Sequence, residues 1–105
     1  MKKSVLPIKR SQRSAAILED RIAVREERPQ TYGSQGYYDK DQKKVFIYPI
    51  KDLDNLDSLR SIRGLSKMIY YKKDWNIQDY RSYLKQAEEK LKKIPNDLDL
   101  LIFIQ

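Results

Sequence analysis

Apolar residues recur at helical spacing near the C-terminal end of the chain, and this is its clearest pattern. The stripe comprises Ile77, Tyr80, Leu84, Ala87, Leu91 and Ile94. Steps of three and four residues place these side chains on one face, so the pattern predicts a helix over residues 77–94. Asn76 is suited to cap its first turn, with Asp79 three residues later, and Pro95 ends it.

Helical spacing also marks residues 14–26, where two faces compete for the inner side of the predicted helix. One face holds Ala15, Leu18 and Ile22, and the other holds Ile17, Asp20, Arg21 and Val24. If the second face packs inward, its carboxylate and its guanidinium must find partners, because an unpaired buried charge is costly. Ser14 is a candidate N-cap, and the helix must end before Pro29 because the residue preceding a proline avoids α geometry.

Aromatic and β-branched residues predict β structure in two places. Tyr37-Tyr38 and residues 45–48 flank the polar stretch 39–44, an order that is typical of a β-hairpin. The apolar run over residues 98–104 predicts a strand that joins the hairpin or pairs with a second chain, since such a run must be covered.

Apolar residues spaced by three predict a short helix with some 3₁₀ character between the hairpin and the long helix. They are Leu53, Leu56, Leu59 and Ile62. Gly64 is suited to end this helix with Leu65 closing over it, and Ser66 can cap a further helical piece over residues 68–71. The predicted class is therefore α+β: a small antiparallel sheet, made of the hairpin and the C-terminal strand, packed by two main helices and short helical turns.

The composition narrows the chemistry that the chain can perform. Its 105 residues include no cysteine and no histidine, which excludes disulfides, thiolate nucleophiles and histidine-based general bases or metal sites. We therefore expect neither a cofactor nor a bound metal. No apolar run approaches the roughly 18–20 residues that a membrane helix needs, so we expect a cytoplasmic protein without membrane contact.

The formal charge of +7 is concentrated at one end of the chain. Five of the 22 basic residues lie in residues 1–13, which contain no acid and no periodic pattern, so we predict a flexible basic arm followed by a single domain over residues 14–105. The other 17 basic residues oppose 15 acids, which leaves the domain at +2. The charge therefore favours an electrostatic tether and gives the body little support for nucleic-acid binding.

One set of polar residues has the side chains that recognise anions. It comprises Asp20, Arg21, Gln30, Tyr32, Gln35 and Arg60. Guanidinium groups bind phosphate or carboxylate, and amides and phenols supply directional hydrogen bonds. The same residue types also form buried scaffolds that tie a loop to a helix, so spacing alone leaves both interpretations open.

Four motifs follow one another between residues 16 and 71. They read Leu18-Glu19-Asp20-Arg21-Ile22, Gln30-Thr31-Tyr32-Gly33-Ser34-Gln35, Tyr48-Pro49-Ile50-Lys51-Asp52 and Asn55-Leu56-Asp57-Ser58-Leu59-Arg60, the last followed by Gly64-Leu65. Together they resemble a family of bacterial domains of unknown function, whose forms are L-x-D-R-[IV], Q-x-Y-G-[ST]-Q, Y-P-I-x-D and N-[VL]-[DN]-x-x-R-x-x-x-G-L. The resemblance covers about half of the chain.

This resemblance implies a shared fold and a shared site. The implied site residues are Asp20, Arg21, Gln30, Tyr32, Gly33, Gln35 and Arg60. Longer members look as though they carry a further helical half upstream, with a Gln-His pair, where this chain has a basic arm of 13 residues. The resemblance is thus to their C-terminal half, and the chain is expected to be a binding or regulatory form if the upstream half supplies catalysis.

These observations favour a small binding or interaction module. It would use the polar set for a small anionic ligand or a protein partner, and residues 76–105 for docking or for self-association as a homodimer. An enzyme acting on a nucleotide-like or other anionic substrate is the first alternative; it requires Asp20 as base, with Arg21 and Arg60 as anion clamps, in one open cleft. A nucleic-acid binder in a toxin–antitoxin or defence setting is the second, and it requires salt-sensitive affinity that depends on residues 1–13.

Overall fold

A computed structural model describes residues 5–93 and 102–103 and shows an α+β fold, as predicted. Within these residues the helices are α1 (Val5–Arg25), α2 (Leu56–Ile62), α3 (Met68–Tyr71) and α4 (Ile77–Leu91), and the strands are β1 (Gln35–Asp39), β2 (Lys44–Ile47) and β3 (Ile102–Phe103). One 3₁₀ turn, Leu53–Asn55, leads directly into α2, which confirms the mixed helical character expected from the spacing of three.

The strands form an antiparallel sheet in the order β2-β1-β3. The predicted hairpin is confirmed, with Tyr37 opposite Phe46. Asp39 begins the turn by accepting hydrogen bonds from the backbone N–H groups of Asp41 and Gln42, the usual way in which aspartate stabilises a turn. The C-terminal strand joins the free edge of β1 over Ile102–Phe103, and the rest of the strand predicted over residues 98–104 lies outside the described residues.

Helix α4 covers one face of the hairpin with aromatic side chains. Tyr83 and Tyr80 pack edge to face, and their hydroxyls accept hydrogen bonds from the backbone N–H groups of Ile47 at 3.0 Å and Ile50 at 2.8 Å. Each buried phenol therefore has a partner and fixes the helix against the strand that it covers.

The N-cap predicted for α4 is confirmed, because the Asn76 side chain accepts the N–H of Asp79 at 2.9 Å. The predicted apolar stripe is only partly buried. Ile77 remains 45% exposed and Tyr83 takes a buried place that the stripe omitted, while Ile94 lies outside the described residues. The buried face turns toward Tyr83 because its ring packs on Phe46 of β2, with centroids 4.7 Å apart.

The first helix is longer than its sequence pattern indicated. It begins at Val5, so residues 5–13 of the predicted arm are helical although their sequence shows no helical period, and residues 1–4 lie outside the described part of the chain. Pro7 falls in the first turn, where proline is tolerated, and the following lysine, arginine and glutamine residues favour helix without needing an apolar face. Ser14 is inside the helix and does not cap it.

The inward face of α1 is the one that carries the carboxylate. Asp20 and Val24 are fully buried, whereas Leu18 is 51% exposed and Ile22 is 42% exposed. Two large apolar side chains thus face solvent while a charged one is buried. This face packs inward because Asp20 accepts hydrogen bonds that compensate its buried charge.

Candidate functional site

Asp20 organises the loop that follows α1. Its Oδ1 accepts the backbone N–H groups of Thr31 at 2.9 Å and Tyr32 at 3.0 Å, and its Oδ2 accepts the N–H of Ser34 at 3.0 Å and the Ser34 hydroxyl at 2.7 Å. The side chain is fully buried. Four donors converge on one carboxylate, so its lone pairs are committed to the loop.

Gln30 performs a similar task between the loop and the sheet. Its Nε2 donates to the carbonyl oxygens of Gln35 and Tyr48, both at 2.9 Å, and its Oε1 accepts the N–H of Gln35 at 2.9 Å. Its own backbone bonds to Pro49 and Lys51. This fully buried amide therefore replaces missing strand hydrogen bonds where the chain enters β1.

The loop also requires glycine at position 33. Gly33 has φ of +70°, and a Cβ built there would lie 3.3 Å from both the Cε and the Sδ of Met68. Both the backbone conformation and the close side chain disfavour any larger residue. Tyr32 is held from outside as well, since its hydroxyl accepts a hydrogen bond from Arg63, which is paired with Glu19 of α1.

Arg60 of α2 is fully buried and is held on two sides by carbonyl oxygens. Its Nε donates to Ser66 at 2.6 Å and its Nη1 donates to Tyr32 at 2.5 Å, while its guanidinium carbon lies 4.5 Å from the centroid of the Tyr71 ring. Burial lowers the pKa of Arg60, and the nearby Tyr71, Asp57 and Asp20 oppose that shift. The third nitrogen, Nη2, is buried with no hydrogen-bond partner among the described residues.

An open cavity of about 670 Å³ lies beside this guanidinium. Its lining residues are Arg13, Ser14, Ile17, Arg60, Gly64, Leu65, Ser66 and Tyr71. Helix α1 forms one wall, and the turn after α2 forms the other. That turn is a Schellman motif, with Leu65 N–H bonded to the Arg60 carbonyl at 2.9 Å and Gly64 at φ of +77°. We call this space the Arg60 cavity.

The structure brings most of the predicted site residues together, but mainly as a scaffold. Asp20, Gln30, Tyr32, Gly33 and Gln35 are all buried around one loop, where hydrogen bonds join Asp20 to Tyr32 and Gln30 to Gln35. They do not form the single open cleft that the enzyme alternative requires.

Two members of the predicted set differ from the rest. Arg60 both holds the loop and lines the cavity, whereas Arg21 is half-buried on α1 and does not line the cavity.

Gln35 is buried with its Oε1 unpartnered among the described residues, and its Nε2 makes only long contacts of 3.4 Å to Ser34. The amide of Gln35 is thus less well satisfied than that of Gln30.

Sequence reasoning missed the other cavity residues. Arg13 and Ile17 are four residues apart on α1, a spacing that points to one surface once the helix is known to extend that far. Ser66 and Tyr71 were assigned only local roles in the sequence, and no spacing signal connects them with α1. Ser66 and Tyr71 line the same cavity as the α1 residues only because the fold brings them together.

A second cavity of about 260 Å³ is lined by acidic and basic side chains together, Glu19 beside Arg28 and Lys51. Within residues 5–93 and 102–103, no group of three or more carboxylate, cysteine or histidine side chains is placed to hold a metal. No helix in the same part of the chain is both long enough and apolar enough to cross a membrane.

Comparison of the chain with protein-family models, with curated proteins and with solved structures finds no match.

Proposed function

We propose that the chain is a small binding module that holds an anionic ligand in the Arg60 cavity. The observation that carries this proposal is the Nη2 of Arg60, a buried donor without a partner among the described residues, on a residue that lines an open space. Leaving a buried donor unsatisfied costs about 1–3 kcal/mol, and more for a charged group. An oxygen of a bound anion would remove that cost.

The charges around the cavity favour the same class of ligand. Arg13 and Arg60 supply two positive charges, and none of the described lining residues is a carboxylate. Asp20 and Asp57 offset part of the charge of Arg60, but neither carboxylate bonds to Nη2, since Asp20 accepts four hydrogen bonds from the loop and Asp57 accepts the N–H of Met68. The anion that completes the cavity is thus expected to come from solution.

The enzyme alternative loses its proposed base in this arrangement. A general base needs a free lone pair within hydrogen-bond reach of the substrate, and the four bonds to Asp20 come from the loop itself. Binding is therefore the function that we put forward. We also retain membership of the bacterial family with these motifs, a cytoplasmic location and docking through residues 76–105 as proposals.

A thermal-shift measurement at constant ionic strength tests the proposal. Phenyl phosphate and benzoate serve as anion probes, and Arg13→Ala removes an exposed arginine of the cavity. Arg25→Ala is the matched control, because Arg25 is an exposed arginine of the same helix that does not line the cavity. We expect at least one probe to raise the melting temperature of the parent chain and of Arg25→Ala, with a smaller rise for Arg13→Ala.

If neither probe stabilises the parent chain, or if Arg13→Ala responds as strongly as Arg25→Ala, the proposal is wrong.

A further inference from the structure

We infer that the ligand of the Arg60 cavity is a phosphate monoester with an apolar or aromatic body. This inference rests on the proposed function and specifies the class of anion. It follows from three observations: which guanidinium nitrogens remain available, how much charge surrounds them, and what lines the rest of the cavity.

The first observation concerns the geometry of Arg60. A carboxylate binds arginine best as a fork, with two parallel N–H···O bonds from two guanidinium nitrogens. In this structure Nε is bonded to Ser66 and Nη1 is bonded to Tyr32, so Nη2 alone is left. A planar carboxylate cannot form the fork with one nitrogen. A tetrahedral phosphate can give one oxygen to Nη2 and direct its other oxygens to donors elsewhere on the wall.

Such donors are present on both walls. Arg13 and Ser14 belong to α1, and Ser66 follows the turn after α2, so one guanidinium and two hydroxyl-bearing residues line the same cavity as Arg60. Because carbonyl oxygens already hold the Arg60 guanidinium, little side-chain freedom is lost when an anion binds it.

The second observation is the charge balance. A phosphate monoester carries about −1.5 to −2 near pH 7, and a monocarboxylate carries only −1. The two arginines of the cavity match the former. Asp20 and Asp57 offset part of the charge of Arg60, and both guanidinium groups still attract a dianion more strongly than they attract a single negative charge.

The third observation is the apolar surface. Ile17 and Leu65 line opposite walls, and the Tyr71 ring lies beside the guanidinium. The volume of about 670 Å³ is far larger than a phosphate group and falls within the range of cavities that hold small organic ligands. An apolar or aromatic body attached to the phosphate would fill that space and cover these side chains.

The absence of histidine from the sequence makes pH a direct readout of the ligand. The titratable residues that line the cavity are Arg13, Arg60 and Tyr71, and the charged groups that act on Arg60 from neighbouring elements are Asp20 and Asp57. The second pKa of a phosphate monoester is about 6, so its dianion becomes scarce between pH 7.5 and pH 5.5. A carboxylate probe keeps its charge over most of that range.

Isothermal titration of the full chain with phenyl phosphate, inorganic phosphate and benzoate, at fixed ionic strength, tests the inference. We expect phenyl phosphate to bind at least about tenfold more tightly than either other probe, because only it offers both the tetrahedral group and the ring. From pH 7.5 to pH 5.5 its affinity should fall by about fourfold, following the fraction of dianion. Arg13→Ala should weaken binding, and Arg25→Ala should not.

The outcomes separate the inference from the proposed function. Benzoate binding as tightly as phenyl phosphate, with the same dependence on Arg13, overturns the phosphate class and leaves the anion site standing. Inorganic phosphate binding as tightly as phenyl phosphate overturns the apolar body. A phenyl phosphate affinity that does not change with pH overturns recognition of the dianion. If none of the three binds, both the inference and the proposed function fail.

Discussion

Asp20 and Arg60 bind the two sides of the same residue. The carboxylate of Asp20 accepts the N–H of Tyr32 at 3.0 Å, and the guanidinium of Arg60 donates to the Tyr32 carbonyl at 2.5 Å. The two buried charges are thus connected through the backbone of the loop, which ties α1 to α2. A mutation that weakens the scaffold will therefore also disturb the Arg60 cavity, and stability must be measured alongside binding in every variant.

Asp20→Asn should destabilise the protein by about 2–4 kcal/mol, because hydrogen bonds to a charged group are worth about 1.5–3 kcal/mol and the new amide sets a donor against existing donors. The N–H groups of Thr31, Tyr32 and Ser34 would compete for a single oxygen. Urea unfolding followed by circular dichroism gives the free energy. Glu89→Gln, at an exposed position of α4, is the control and should change stability little. Equal stability of the two variants would contradict the role of Asp20.

Gln30→Glu should cost about 3 kcal/mol or more, because it places a carboxylate where the Nε2 of Gln30 now donates to two carbonyl oxygens. The matched control is Gln78→Glu, since Gln78 is exposed in the first turn of α4, where an added negative charge is slightly favourable. Urea midpoints measured at pH 7 compare the two variants. A Gln30→Glu protein as stable as Gln78→Glu would show that the amide bridge contributes little.

Gly33→Ala should be more destabilising than Gly64→Ala. Both glycines have positive φ, so each substitution incurs a conformational cost of about 1 kcal/mol. At Gly33 the added Cβ would also lie 3.3 Å from the Met68 side chain, so the difference between the variants measures that contact. Thermal and urea unfolding of both provide the comparison, and a larger loss for Gly64→Ala would disprove the packing argument.

Stability should fall as the pH rises above about 10, the ordinary pKa of tyrosine. Burial raises the pKa of Tyr48 to about 12 and also raises the pKa values of Tyr80 and Tyr83. A raised pKa in the folded state means that the unfolded chain loses protons first, so the stabilisation is complete below about pH 10 and is lost as the pH approaches the folded values. Urea unfolding at pH 8 and pH 10.5 measures this loss.

Two substitutions measure separately how Tyr48 and Tyr83 contribute to stability. Tyr48→Phe should reduce the alkaline loss of stability, because it removes one group with a raised pKa and keeps the buried ring. Tyr83→Phe should in addition cost about 1–3 kcal/mol at pH 7, since the backbone N–H of Ile47 loses its acceptor. An alkaline loss that is the same in the parent chain and in Tyr48→Phe would exclude Tyr48 as a source.

Periodic patterns predicted the elements that are stabilised by their own apolar faces. The hairpin, the short helix that ends before Gly64 and the cap of α4 by Asn76 are confirmed, because each depends on local chemistry. The start of α1 at Val5 could not be predicted in this way, since its first turns are helical without an apolar stripe. The apolar pattern also could not predict which face of α1 is buried. Asp20 is buried because residues of the following loop donate hydrogen bonds to it.

The candidate site was likewise predictable in part from the sequence and in part only from the fold. The motifs identified residues that meet around one loop, and Arg60 among them reaches the cavity. The residue types allowed a buried scaffold, as Asp20 and Gln30 form, but the motifs did not identify the partners of these two side chains. Nor did they indicate that Ser66 and Tyr71 would face Arg13, since that arrangement depends on how α1 crosses the turn after α2.

Arg13 and Asp20 are seven residues apart on α1 and therefore lie on nearly the same side of it. Asp20 anchors the loop and Arg13 lines the cavity. The helix sets the distance between the two positions at about 10 Å along its axis. A single residue inserted between them would rotate one relative to the other by about 100°. Substitutions at the exposed positions of this stretch are thus easier to accommodate than insertions or deletions, and the number of residues between positions 13 and 20 constrains the proposed site.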